Sequence, residues 1–141
     1  MADPRSFTVR QFMTPDPITL EPEASLMRAL ELMRRRSIRR VPLVRDGVFM
    51  GLLVEGDLKR AEPSMLTNSQ EEFTRVMEET PISRIMIKNP VTIHPDAPLL
   101  EAAETLFTTK YGALPVIEND KLVGILTDND LMRALVDVLR G

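Results

Sequence analysis

Slid along itself by 73 residues, this sequence matches itself without a gap. From Arg10 to Ala61, set against Ser83 to Ala134, 15 of 52 positions are identical. The identities include Met13/Met86, Pro17/Pro90, Thr19/Thr92, Pro22/Pro95, Pro42/Pro115, Gly51/Gly124, Asp57/Asp130 and Arg60/Arg133. Unrelated segments of like composition would agree at about one position in twenty. Most other pairs set apolar against apolar. The 141 residues are therefore one unit used twice. A unit of roughly 50 residues leaves an apolar face that it cannot cover alone, and the second copy is the natural cover.

Each copy reads as strand, helix, strand, strand, helix, an α+β pattern. A short extended run, Ile18–Leu20 or Val91–Ile93, leads through a Pro-acid-Ala turn into a helix over 25–36 or 98–109. Two apolar strands follow, 41–44 with 48–54 and 114–117 with 122–126. Arg-Asp-Gly joins the first pair and Glu-Asn-Asp the second, residues suited to a hairpin turn. A last helix starts near Glu55 and near Asp128, each beside residues that cap helices. Units at 8–61 and 81–141 are thus expected, with a polar connection over 62–80. Within it Ser69-Gln-Glu-Glu72 precedes Phe73, Val76 and Met77, the signature of a linker helix ending before Pro81.

Composition narrows the chemistry. With no Cys and one His, the chain forms no disulfide, thiolate metal site or Cys nucleophile, and no metal centre is expected. No Ser-His-Asp set, Cys-His pair, paired catalytic carboxylates or phosphate-cradling glycine loop is present, so an enzyme is not expected and no catalytic residue is assigned. No apolar run could span a bilayer and no leader is evident, which points to the cytoplasm. A formal net charge of −3 gives no general reason to bind nucleic acid or an anionic membrane. Arg34, Arg35, Arg36, Arg39 and Arg40 form a local basic cluster, without aromatic neighbours on which bases could stack. The first three suit a solvated helix C-terminus. His94, whose repeat mate is Glu21, reads as a solvent-facing turn residue.

The sharpest local signal is Gly124-Ile-Leu-Thr127-Asp-Asn-Asp130, a strand passing directly into a helix start. Thr127 and Asp130 stand one turn apart and face the same way. Such a pair suits a ribonucleotide, because a carboxylate accepts both hydroxyls of a ribose diol and a Thr hydroxyl bonds ribose or phosphate. It equally suits a capped helix in which Asp130 complements the dipole. The first copy reads Gly51-Leu-Leu-Val54-Glu-Gly-Asp57 and lacks the hydroxyl.

Two such Gly-h-h-x-x-x-Asp segments (h apolar), each ending the same order of elements, resemble the CBS domain, named for cystathionine beta-synthase. The resemblance runs from about Val9 to Leu139. The segment Asp57-Leu-Lys-Arg-Ala-Glu-Pro-Ser64 is similar to the stand-alone acetoin-utilisation-like members. The resemblance implies a three-stranded sheet and two helices per unit, two units about a pseudo-twofold axis, and two clefts that take adenosine compounds. By position, one cleft would join Ile125, Thr127 and Asp130 with the base-lining Met13, Ile18 and Ile38. The other would join Asp57, Arg39 and Arg40, the arginines on phosphate, with Met86, Val91 and Tyr111.

The resemblance further implies a regulatory module with no required cofactor. It would bind AMP above all, or ADP, ATP or S-adenosylmethionine, and signal by a change of conformation or assembly. A homodimer acting on an effector protein in trans is expected. The rival reading is a structural dimerisation adaptor with degenerate clefts, suggested by Val54 in place of the hydroxyl residue.

Overall fold

The computed structural model describes residues 3–141. It contains α1 (Val9–Phe12), β1 (Thr14–Pro15), α2 (Leu26–Arg36), β2 (Arg40–Arg45), β3 (Val48–Val54), α3 (Glu55–Ala61) and α4 (Gln70–Glu79). After these come β4 (Ile87–Lys88), α5 (Leu99–Thr108), β5 (Ala113–Glu118), β6 (Lys121–Thr127) and α6 (Asp128–Arg140). The strands form two antiparallel three-stranded sheets, ordered β2-β3-β4 and β1-β6-β5. The fold is α+β.

The compact units are not consecutive stretches of chain. One unit is Ile18–Asn89, and the other joins the residues up to Pro17 to Pro90–Gly141. The third strand of each sheet is therefore supplied by the opening residues of the other repeat. Thr14 and Pro15 pair with Ile125 and Gly124, and Ile87 and Lys88 pair with Leu52 and Gly51. The runs Ile18–Leu20 and Val91–Ile93, expected as strands, instead make single parallel bridges, Leu20 to Leu43 and Ile93 to Val116. Asp16 and Asn89, repeat mates with φ of 45° and 51°, turn the backbone just after each short strand and end its ladder.

Repetition extends to single hydrogen bonds. In the second-repeat unit Val9 N–H donates to Ala97 O (3.0 Å), Arg10 N–H to Pro95 O (2.8 Å) and Leu99 N–H to Phe7 O (2.8 Å). In the Ile18–Asn89 unit the same three bonds run from Ile82 to Ala24 (2.8 Å), Ser83 to Pro22 (2.9 Å) and Leu26 to Thr80 (3.0 Å). Each unit thus anchors the segment that brings its third strand.

Each core follows from amphipathic helices laid on an apolar sheet. Leu26, Ala29 and Met33 of α2 pack with Val41, Leu43, Leu53 and Leu58 in one unit. Leu99, Ala102 and Leu106 of α5 pack with Leu114, Val116, Leu126 and Val9 in the other. Helix α4 begins where the sequence predicts, its cap Ser69 accepting from Glu72 N–H at 3.1 Å. It is more than a connector, because Met77 is fully buried in the core of the Ile18–Asn89 unit, joined there by Ile82. The hairpins close on Asp46 and Gly47 and on Asn119 and Asp120, all with positive φ.

Candidate functional site

In each unit the strand that ends in the Asp-bearing helix runs against the supplied strand, and a glycine sits at the crossing. A Cβ on Gly124 would stand 2.6 Å from Met13 Sδ and 3.0 Å from Thr14 O. On Gly51 it would stand 2.8 Å from Ile87 O and 2.9 Å from Met86 Sδ. Met13 and Met86, read from the sequence as base-lining, are thus held beside the glycines that open the two motifs.

Strand β6 then delivers Thr127 to the cap of α6 and places Asp130 in its first turn. Asp130 is 3% exposed, the one buried charged residue among the described residues. Its two oxygens are divided. Oδ2 accepts from the Thr127 backbone N–H (2.9 Å) and from Thr127 Oγ1 (3.3 Å). Oδ1 accepts from Thr14 Oγ1 (3.2 Å) and Arg133 Nη2 (2.9 Å), and Nη2 also donates to the Phe12 carbonyl (2.7 Å). Burying this charge is tolerated because donors surround it.

Asp57 in the other unit stands differently. Val54 replaces Thr127 and Ile87 replaces Thr14, so both hydroxyls are missing, and among the described residues Arg60 is its hydrogen-bond donor. Its side chain is 25% exposed and that of Arg60 is 72% exposed. Glu55 N–H donates to Arg39 O (2.8 Å), as Asp128 N–H does to Gly112 O (3.3 Å), tying each helix start to the strand beside it. Arg39 is exposed and Arg40 half-buried.

The sequence-derived groupings are divided between the units as follows. Met13, Ile125, Thr127 and Asp130 share one unit, while Ile18 and Ile38 belong to the other. Asp57, Arg39, Arg40 and Met86 share a unit, while Val91 and Tyr111 belong with Asp130. Val91 N–H donates to the Tyr111 hydroxyl oxygen at 2.8 Å. Ile18 and Val91, repeat mates, keep 39% and 46% of their surface exposed, whereas Ile125 is buried. Sequence reasoning missed Thr14, Phe12 and Arg133 at this site. Arg133 was visible as an identity with Arg60 three residues after the acid, but Thr14 is 116 positions from Asp130 and no local signal joins them.

The CBS-domain family model matches residues 9–64 and 82–137. The chain belongs to the CBS domain family. A CBS domain-containing protein of Dictyostelium discoideum is 34% identical over 134 residues, 93% of this chain and 92% of that protein. A Vibrio cholerae protein assigned to acetoin utilization, AcuB, has a solved structure with 30% identity, a TM-score of 0.80 and 96% of each chain covered. CBSX2, a CBS-pair protein of Arabidopsis thaliana, superposes with a TM-score of 0.85 at 28% identity, covering 96% of this chain and 99% of that one. A second structure of CBSX2 is a complex with AMP. This CBS pair therefore has stand-alone CBS-pair relatives.

His94 lies outside the motif region, its Nδ1 accepting from Asp96 N–H at 3.0 Å. With Asp96 and the half-buried Glu118 it forms a group that could hold a metal ion, but Arg10 already pairs with both carboxylates, at 3.2 and 3.3 Å. Among the described residues no helix is long and apolar enough to cross a membrane.

Proposed function

We propose that this CBS pair is a regulatory module that binds an adenine nucleotide, AMP first among candidates, and signals by a change of conformation or assembly. The observation that carries this reading is the repeated acid: Asp57 and Asp130 occupy the same place after a glycine-led strand, each in the first turn of its helix. A carboxylate there can take both hydroxyls of a ribose. The AMP complex of CBSX2, at 28% identity, supports the ligand class.

In this reading Asp130, Thr127 and Asp57 face ribose, Arg39 and Arg40 meet phosphate, and Met13, Ile18, Ile38, Met86, Val91, Tyr111 and Ile125 line the base. The half-exposed Ile18 and Val91 support it, since apolar side chains left in water gain by covering a flat ring. The test is calorimetry with AMP, ADP, ATP and S-adenosylmethionine in parallel. Binding of AMP that weakens at least tenfold in Asp57→Ala or Asp130→Ala supports the reading, and no binding by any of the four overturns it.

One observation favours a structural role instead. Met132, Leu135, Val136 and Leu139 form an exposed apolar row at helical spacing along α6. We propose that this row pairs two copies of the chain, whether or not nucleotide binds, leaving any effector protein to act in trans. Light scattering on Leu135→Glu, with a fall from dimer to monomer mass, is the check, and an unchanged mass excludes this surface.

A further inference from the structure

Asp130 uses its two oxygens for two different tasks. Oδ2 serves its own helix, accepting twice from Thr127. Oδ1 serves the N-terminal segment, directly through Thr14 and through Arg133, whose Nη2 bridges to the Phe12 carbonyl. A carboxylate offers about four lone-pair positions, and four donors occupy these. A ribose diol brings two more O–H donors. Two of the present donors have to leave: the Thr127 N–H on Oδ2 is fixed by the helix cap, whereas the two donors on Oδ1 are side chains that can turn away.

We propose that nucleotide ribose competes with the Thr14 hydroxyl and the Arg133 guanidinium for Oδ1 of Asp130, so that ligand binding loosens β1 from this unit while Val9 and Met13 stay in place. This inference rests on the nucleotide reading above and names its regulation. Strand β1 is weakly held, with two register pairs to the sheet, Thr14 exposed and the Arg133 side chain 59% exposed, whereas Val9 ahead of it is buried in the core. Among the described residues the Ile18–Asn89 unit has only half of this latch, because Arg60 holds Asp57 but Ile87 stands in the place of Thr14 and its side chain carries no donor.

Competition is reciprocal: what loosens the latch tightens the nucleotide. The experiment is calorimetry with AMP on the full chain carrying Asp57→Ala, so that binding reports Asp130, with Thr14→Val or Arg133→Met added. AMP binds roughly fivefold or more tightly to the doubly substituted chains, and in the unsubstituted chain AMP speeds hydrogen exchange at Thr14 and Asp16. Weaker or unchanged AMP affinity in the Thr14→Val chain, or bound AMP with unchanged exchange at Thr14 and Asp16, overturns the latch and leaves the nucleotide reading standing. AMP binding that vanishes on Asp57→Ala alone also overturns the latch, since Asp130 then takes no nucleotide. An unsubstituted chain that binds no AMP removes the nucleotide reading itself, and the latch with it.

Discussion

Met13 lies over Gly124 so closely that its Sδ would stand 2.6 Å from a Cβ at that position. The same relation holds between Met86 and Gly51, with the Ile87 carbonyl oxygen 2.8 Å from the added Cβ. The two glycines are where supplied strands cross the motif strands. Gly51→Ala therefore costs about 1–3 kcal/mol, because a backbone oxygen rather than a pliable side chain has to move. Denaturant unfolding measures it, and a loss under 0.5 kcal/mol would mean that β4 shifts without cost.

Asp130 and Asp57 are repeat mates with unequal structural weight. Asp130→Ala removes a buried acceptor from four donors and is expected to cost about 2–3 kcal/mol. Asp57→Ala breaks one exposed pair with Arg60 and costs less than about 1 kcal/mol. Melting curves of the two variants without ligand decide this, and equal losses contradict it.

Met77, in the stretch that the sequence presents as a connection, is fully buried in a core. Met77→Ala is expected to destabilise the chain by about 2–5 kcal/mol, as deletion of a core methionine does. A free connector helix would give a change near zero on the same unfolding curve.

Glu23 receives a hydrogen bond from the Arg45 guanidinium, which with a backbone bond at Glu23 itself holds its carboxyl below the usual glutamate range. A carboxyl lowered by folding contributes its full stability above its unfolded value, and loses it as pH falls through the lowered one. Carboxyl NMR titration should place Glu23 below free glutamate, and Arg45→Ala should raise its midpoint. An unmoved midpoint in Arg45→Ala excludes the pair as the cause.

The elements were legible because their signals are local. Periodic Leu, Ala and Met mark α2, periodic Leu and Ala mark α5, short apolar runs joined by turn residues mark the hairpins, and the cap at Ser69 marks α4. The repeat carried the family, and the motif glycine and acid carried Gly124 and Asp130. Val54 in the place of Thr127 likewise announced that the two acids differ.

What the sequence determined by itself is this list of elements, their twofold use and the candidate acids, since each depends on residues within a few turns of one another. Only the tertiary structure decided which strand completes which sheet. Thr14 joins Ile125, and Ile87 joins Leu52, because a two-residue strand has no periodicity of its own and takes its place from the bonds that anchor Val9 and Ile82. The same pairing carries Thr14 to Asp130 and Phe12 to Arg133 across more than a hundred positions. Such contacts follow from where the chain returns in space, which spacing along the sequence does not encode.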